Sequence, residues 1–165
     1  MKIKVLSREA FEQFKSDEPF VAISISDPNS EKVSHIGYED ILRLSFHDVD
    51  KRNKQKDCKV CKGTGKLKIF SDINDGHCYS CTDKIDIILF DELMARKVLE
   101  FVKYYQNKVR VIVVHCEAGI SRSAGVAGAL SLIYNGTDQY YFDHYVPNMY
   151  VYRKILNCYM DSRYA

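Results

Sequence analysis

A cysteine, a glycine, an arginine and a serine fall within nine residues, HCEAGISRS, at positions 115–123. The stretch follows VRVIVV, a β-branched run without alternation that reads as a strand buried on both faces. A short loop between such a strand and a helix points several backbone N–H groups at one spot and binds oxyanions well. Gly119 permits a backbone conformation closed to other residues. Arg122, at the start of the next helix, can grip two oxygens with its planar fork. A thiol at the base of the loop feels the amides, the helix N-terminus and the arginine, and all three favour the thiolate. Cys116 is then a nucleophile beneath a bound phosphoryl group, poised for in-line attack. Ser123 can donate to the sulfur and ease its departure from a covalent intermediate. His115 points to the opposite side of the strand from Cys116. It is expected to be buried and to order the loop through hydrogen bonds.

HCEAGISRS resembles the HCxxGxxRS signature of cysteine-dependent protein tyrosine and dual-specificity phosphatases. VIVV before it and SAGVAGAL after it are also similar to that family, over most of the chain outside the cysteine-rich middle. The small size resembles the compact dual-specificity branch. The resemblance implies that Cys116 is the nucleophile and that Arg122 binds phosphate and stabilises the transition state. The backbone of Glu117, Ala118, Gly119, Ile120 and Ser121 forms the cradle. A thiophosphoryl-cysteine forms and is then hydrolysed by water.

A proton donor for the leaving group must come from elsewhere. The family places this aspartic acid roughly thirty residues before the cysteine, a count that lands near Asp83 or Asp86. LRLSFHD, however, resembles the strand leading into the family's acid loop, and it ends in Asp48. Asp48 lies 68 residues before Cys116 (116 − 48). If residues 51–84 are an insertion of 34 residues, removing them leaves a separation of 34 (68 − 34). Asp48 then takes the acid position, with Asp50 its nearest competitor.

That insertion carries two CxxC pairs, Cys58 with Cys61 and Cys78 with Cys81. Four thiolates suit one tetrahedral, closed, structural zinc. Such a metal can fold a polar segment with little core of its own. An iron–sulfur centre is the lesser alternative, which spacing alone does not exclude, and His77 is a spare ligand. Residues 51–68 also hold eight Lys/Arg against one acid, Asp57. This block reads either as a solvated face or as a guide for polyanions. With few aromatics interleaved, nucleic acid is not favoured as a partner.

Around these residues the pattern is that of one α/β domain spanning 1–165, with the zinc module inserted at 51–84. MKIKVLS, FVAISIS and DILRLSF read as strands. SREAFEQF, capped by Ser7, and FDELMARKVLEFVKYY, capped by Asp91, read as helices. SAGVAGALSLIYNG, closed by Gly136, and NMYVYRKILNCY complete the helices. Small residues in the former are expected to pack closely on the sheet. The expected fold is a compact cysteine-phosphatase fold, a central, mostly parallel sheet flanked by helices. An apolar fraction of 46% and a net charge of +2 fit a folded protein and single out no partner. There is no run of apolar residues long enough for a membrane span, and no signal-peptide core, so a cytoplasmic setting is expected.

The function expected is hydrolysis of phosphate monoesters on a phosphorylated protein or peptide: phosphotyrosine, with phosphoserine and phosphothreonine admitted by a shallow pocket. Glu117 places negative charge at the rim and disfavours highly charged substrates. Phosphatase action on RNA 5′ ends or phosphoinositides is the enzymatic alternative. A phosphate-binding or zinc-mediated interaction module is the non-enzymatic one.

Overall fold

A computed structural model describes residues 1–49, 66–67, 76–77 and 88–164. Asp50, Asp83, Asp86 and all four CxxC cysteines lie outside the described residues.

Four strands form the central sheet: β1 (Lys2–Ser7), β2 (Phe20–Ser26), β3 (Ile41–Ser45) and β6 (Val111–Cys116), in the order β1-β6-β2-β3. Every pairing is parallel, where the sequence reading expected a mostly parallel sheet. β6 and β2 are central, mostly apolar and buried over nearly their whole length, as strands covered on both faces must be. A separate antiparallel pair, β4 (Lys66–Leu67) and β5 (Gly76–His77), lies between β3 and the next helix in sequence.

The two faces of the sheet are covered unequally. One side carries α2 (Glu92–Tyr105), α3 (Arg122–Asn135) and α5 (Met149–Tyr164), over a core that includes Ile112, Val114, Val98, Val102, Val126 and Ile155. Among the described residues the other side carries α1 (Arg8–Glu12) and the irregular segment after β2, over Val111, Val113, Phe11, Phe20 and Val33. Strand alternation divides β6 between the two, so Cys116 faces the long helices and His115 faces Phe11.

The anticipated caps are present. Ser7 Oγ accepts from Ala10 N at 3.1 Å, and Asp91 Oδ1 accepts from Met94 N at 2.8 Å. Gly136 ends α3 in the left-handed conformation at φ 77°. A short helix, α4 (Gln139–His144), went unread in the sequence. It has no side-chain cap, and Tyr141 anchors it by donating its hydroxyl to Ile3 O at 2.9 Å. α3 is buried from Arg122 to Ser131. The closest approaches of its glycines are to neighbouring helices and not, as expected, to the sheet. A Cβ on Gly125 would lie 2.7 Å from Asn148 O, and one on Gly128 would meet Tyr141 and Tyr152.

Candidate active site

β6 ends at Cys116 and α3 begins at Arg122, so residues 117–121 form a loop at the carboxyl end of a central parallel strand. Ligands gather at this position in open α/β sheets. Gly119 has φ +67°, and a Cβ there would sit 2.5 Å from Ser7 N and 2.6 Å from Leu6 C. The loop therefore lies directly on the end of β1, and glycine is required both by conformation and by space. Arg8 N donates to Glu117 O at 3.1 Å, tying the first residue of α1 to the same loop. On the other flank Val146 N donates to Ile120 O and Asn148 N donates to Ser121 O, at 3.3 and 3.0 Å.

Inside this frame, Cys116 is buried and its Sγ lies 3.1 Å from Ser123 Oγ, the pairing expected from sequence. Arg122 is 4% exposed. Its Nη1 donates to Asp27 Oδ1 and to Phe46 O, each at 2.7 Å, and its Nε has no partner among the described residues. One corner of the guanidinium is thus fixed by the ends of β2 and β3, and the buried Nε–H is a donor not used by any described residue. Ser121 occupies the N-cap of α3, and its side chain bonds no helix N–H, so the first-turn amides receive no side-chain cap.

Asp48 reaches the loop. Its Oδ1 accepts from Ser121 Oγ and from Asn148 Nδ2, both at 2.8 Å. Sequence reasoning placed Asp48 here by arithmetic; it missed Asn148, 100 residues away. It also missed Asp27, whose signal was an acid at the carboxyl end of a buried strand. The segment bearing Asp48 is tied to the returning chain by His47. His47 N donates to Ile88 O at 2.8 Å, and Ile88 N donates to His47 Nδ1 at 3.1 Å.

Two expectations are corrected. His115 is buried, but neither ring nitrogen has a hydrogen-bond partner among the described residues. It packs as an aromatic, stacked on Phe11 with centroids 4.2 Å apart and planes 13° from parallel. Burial, reinforced by the positive charges of Arg8 and Arg43, pushes its pKa down to about 4. Glu117, in turn, is not a free negative charge at the rim. Arg8 Nη1 bonds its Oε1 at 3.0 Å, which removes much of the expected bias against highly charged substrates. Ile120 is half exposed beside the cradle, and Ala118 is exposed.

Among the described residues no group of three or more His, Cys, Asp or Glu could hold a metal ion, and no helix is long and apolar enough to cross a membrane. No protein-family model matches the chain, and no curated protein does. Solved structures do. PTPMT1 in complex with PI(5)P aligns with a TM-score of 0.52 at 16% identity, covering 99% of this chain and 95% of that one. A further crystal structure of PTPMT1 aligns at 0.49 and 15% identity, covering 99% and 96%. The first of these carries the comparison: over nearly its whole length this chain shares the fold of PTPMT1, the compact cysteine-phosphatase α/β fold expected from its sequence.

Proposed function

We propose that the protein hydrolyses phosphate monoesters through a covalent cysteine intermediate. The observation that carries this reading is the Cys116–Ser123 pair at 3.1 Å beneath an uncapped helix N-terminus, with Arg122 anchored at 2.7 Å by Asp27. The cradle amides and the Nε edge of Arg122 hold the phosphoryl oxygens and stabilise the charge of the transition state. Cys116 Sγ attacks phosphorus as the thiolate, and the bond from phosphorus to the ester oxygen breaks. Asp48 gives that oxygen its proton. Two hydrogen bonds to Oδ1 hold the carboxyl in place, and the other oxygen carries the proton. Water then attacks phosphorus and yields its proton to the Asp48 carboxylate. The sulfur–phosphorus bond breaks, and the Ser123 hydroxyl donates to the departing thiolate. Aryl-phosphate hydrolysis by the wild type, abolished in Cys116→Ser while that variant still binds vanadate, is the expected result. Equal activity in both would overturn it.

Phosphorylated proteins or peptides are the first substrates we put forward, phosphotyrosine before phosphoserine and phosphothreonine. Phosphoinositides are the second reading. PTPMT1 was crystallised with PI(5)P, and pairing of Glu117 with Arg8 lowers the barrier to a multiply charged headgroup. Comparing a phosphotyrosyl peptide, a phosphoseryl peptide, a phosphoinositide and a triphosphorylated RNA by kcat/KM decides between them. We also propose that Cys58, Cys61, Cys78 and Cys81 hold one structural zinc. The antiparallel pairing of Lys66 with His77 falls between the two CxxC pairs in sequence, which supports their convergence. One equivalent of zinc released per chain under mercurial titration is expected. Release of none would remove the proposal.

A further inference from the structure

The face of the sheet turned away from Cys116 holds a cavity of about 150 Å³ at the carboxyl ends of β2, β3 and β6. A single water needs only ~15 Å³ by the same kind of measure, so the space admits a polyatomic ion. His115, Ser24 and Arg43 line it from three adjacent strands. The register explains why: Ser24 pairs with His115 on one side and with Arg43 on the other, so the three stand in one row on one face. Arg8 and Lys32 line it from α1 and from the segment after β2, and Glu117 is the carboxylate in its lining.

Three cations, Arg8, Lys32 and Arg43, therefore line this space, and Arg8 is already engaged, its Nη1 with Glu117 and its Nη2 with Glu31 O at 3.0 Å each, and its Nε with Glu12 at 3.5 Å. Glu117 is already satisfied by Arg8. Neither Lys32 nor Arg43 has a carboxylate partner among the described residues, and the contacts of Arg43 to Val33 O are long, at 3.5 Å. His115 is 2% exposed, lines the cavity and has both ring nitrogens unpartnered among the described residues. A buried imidazole in that condition lacks the hydrogen bonds that buried polar groups ordinarily make. A neutral ring offers one N–H donor, and its neutrality follows from the burial and positive surroundings that lower its pKa.

We infer that this cavity is a second oxyanion site, taking a tetrahedral anion such as phosphate or sulfate between Arg43, Lys32 and the N–H of His115. It is separate from the catalytic cradle, because Cys116 and His115 project from opposite faces of β6. It also stands independently of the proposed hydrolysis, since none of its cations touches the nucleophile.

The test is a titration of ¹⁵N-labelled protein at constant ionic strength, with sulfate, inorganic phosphate and methylphosphonate as probes. The His115 ring nitrogens report this site, assigned by their loss in His115→Phe, and the Gly119 amide reports the cradle. The expected result is a saturable shift at His115 with its own isotherm. Arg43→Met should weaken it at least tenfold and leave the Gly119 isotherm unchanged. Methylphosphonate binding as well as phosphate would assign the site to a phosphoryl group on a larger molecule, and its exclusion would assign the site to the free ion. The inference is overturned if His115 does not shift, or if its isotherm follows that of Gly119 in both the wild type and Arg43→Met. Failure of hydrolysis with an intact His115 isotherm would count against the catalytic reading alone.

Discussion

Gly119→Ala tests whether the cradle is held by its contact with β1. Two costs are separable. An L-residue at φ +67° pays about 1–2 kcal/mol for the left-handed conformation. The new methyl would also sit 2.5–2.7 Å from Ser7 N, Leu6 C and Leu6 O, all backbone atoms of a paired strand. Ordinary carbon contacts begin near ~3.5 Å, so the loop must retreat by about 1 Å. Overpacking of this kind costs about 1–3 kcal/mol. The sum, about 2–5 kcal/mol, corresponds to a fall in Tm of about 4–20 °C for a chain of this size. Gly136→Ala is the control: φ is +77°, but nothing lies within 4 Å of the added atom, so only the conformational cost applies. Urea denaturation of both variants measures the difference. Because a displacement of about 1 Å at a reacting centre can cost ~100-fold in rate, Gly119→Ala should also lose most aryl-phosphate turnover, and Gly136→Ala should keep it. If the two variants are equally stable and equally active, the loop is not seated on β1 as described.

Three further outcomes follow from the site. Asp48→Asn keeps an acceptor for Ser121 and Asn148 but cannot supply the proton. Turnover of phenyl phosphate should fall ~100-fold or more and that of a nitrophenyl ester much less; equal losses would remove Asp48 as the acid. Asp27→Ala leaves the buried Arg122 without its carboxylate. A fully buried pair broken this way costs ~3–5 kcal/mol. With Asp27 itself 46% exposed, about 1–3 kcal/mol is expected, with weaker vanadate binding; unchanged binding would show that Asp27 does not orient the guanidinium. His115 titrates near 6.5 unfolded and about 4 folded, so the unfolded chain binds more protons between these values. Its contribution, about 3 kcal/mol, is complete above pH 6.5, is lost as pH falls toward 4 and is absent below. His115→Phe should flatten that part of the stability–pH curve in chloride buffer, and parallel curves would refute the assignment.

Cys116, Arg122 and Ser123 were legible as a group because they flank one short loop between β6 and α3, and spacing across so short a loop is written directly in sequence. Asp48 needed a further step, the removal of 34 residues, because its distance along the chain is unrelated to its distance in space. Asp27, Asn148 and Arg8 were not legible. Asp27 meets Arg122 across 95 residues, Asn148 meets Asp48 across 100 and Arg8 meets Glu117 across 109, and those meetings are set by where β2 ends and where α5 and α1 begin. His115 was misread for a different reason. A buried polar group is expected to be hydrogen-bonded, but Phe11 offers its ring a stacking partner on an apolar face. α4 escaped because six residues without a side-chain cap carry almost no local signal, and it is held by a tyrosine reaching another element.

The junction of β1 and α1 explains why so small a scaffold can hold this loop. Ser7 is the last residue of β1 and pairs in register with Cys116. Its hydroxyl caps α1, which turns the chain away at once. Its backbone lies against Gly119, and the next residue binds Glu117 through both main chain and side chain. The register of β1 on β6 therefore sets the height of the 117–121 loop above Cys116. A slip of one residue would move Ser7 off Cys116 and turn the side chains of β1 to the wrong faces. The helix cap, the strand register and the glycine approach thus specify the same arrangement, and each makes the others' geometry cheaper to hold. That consistency is what places a thiol on one face of β6 and a buried, positively surrounded imidazole on the other, one residue apart.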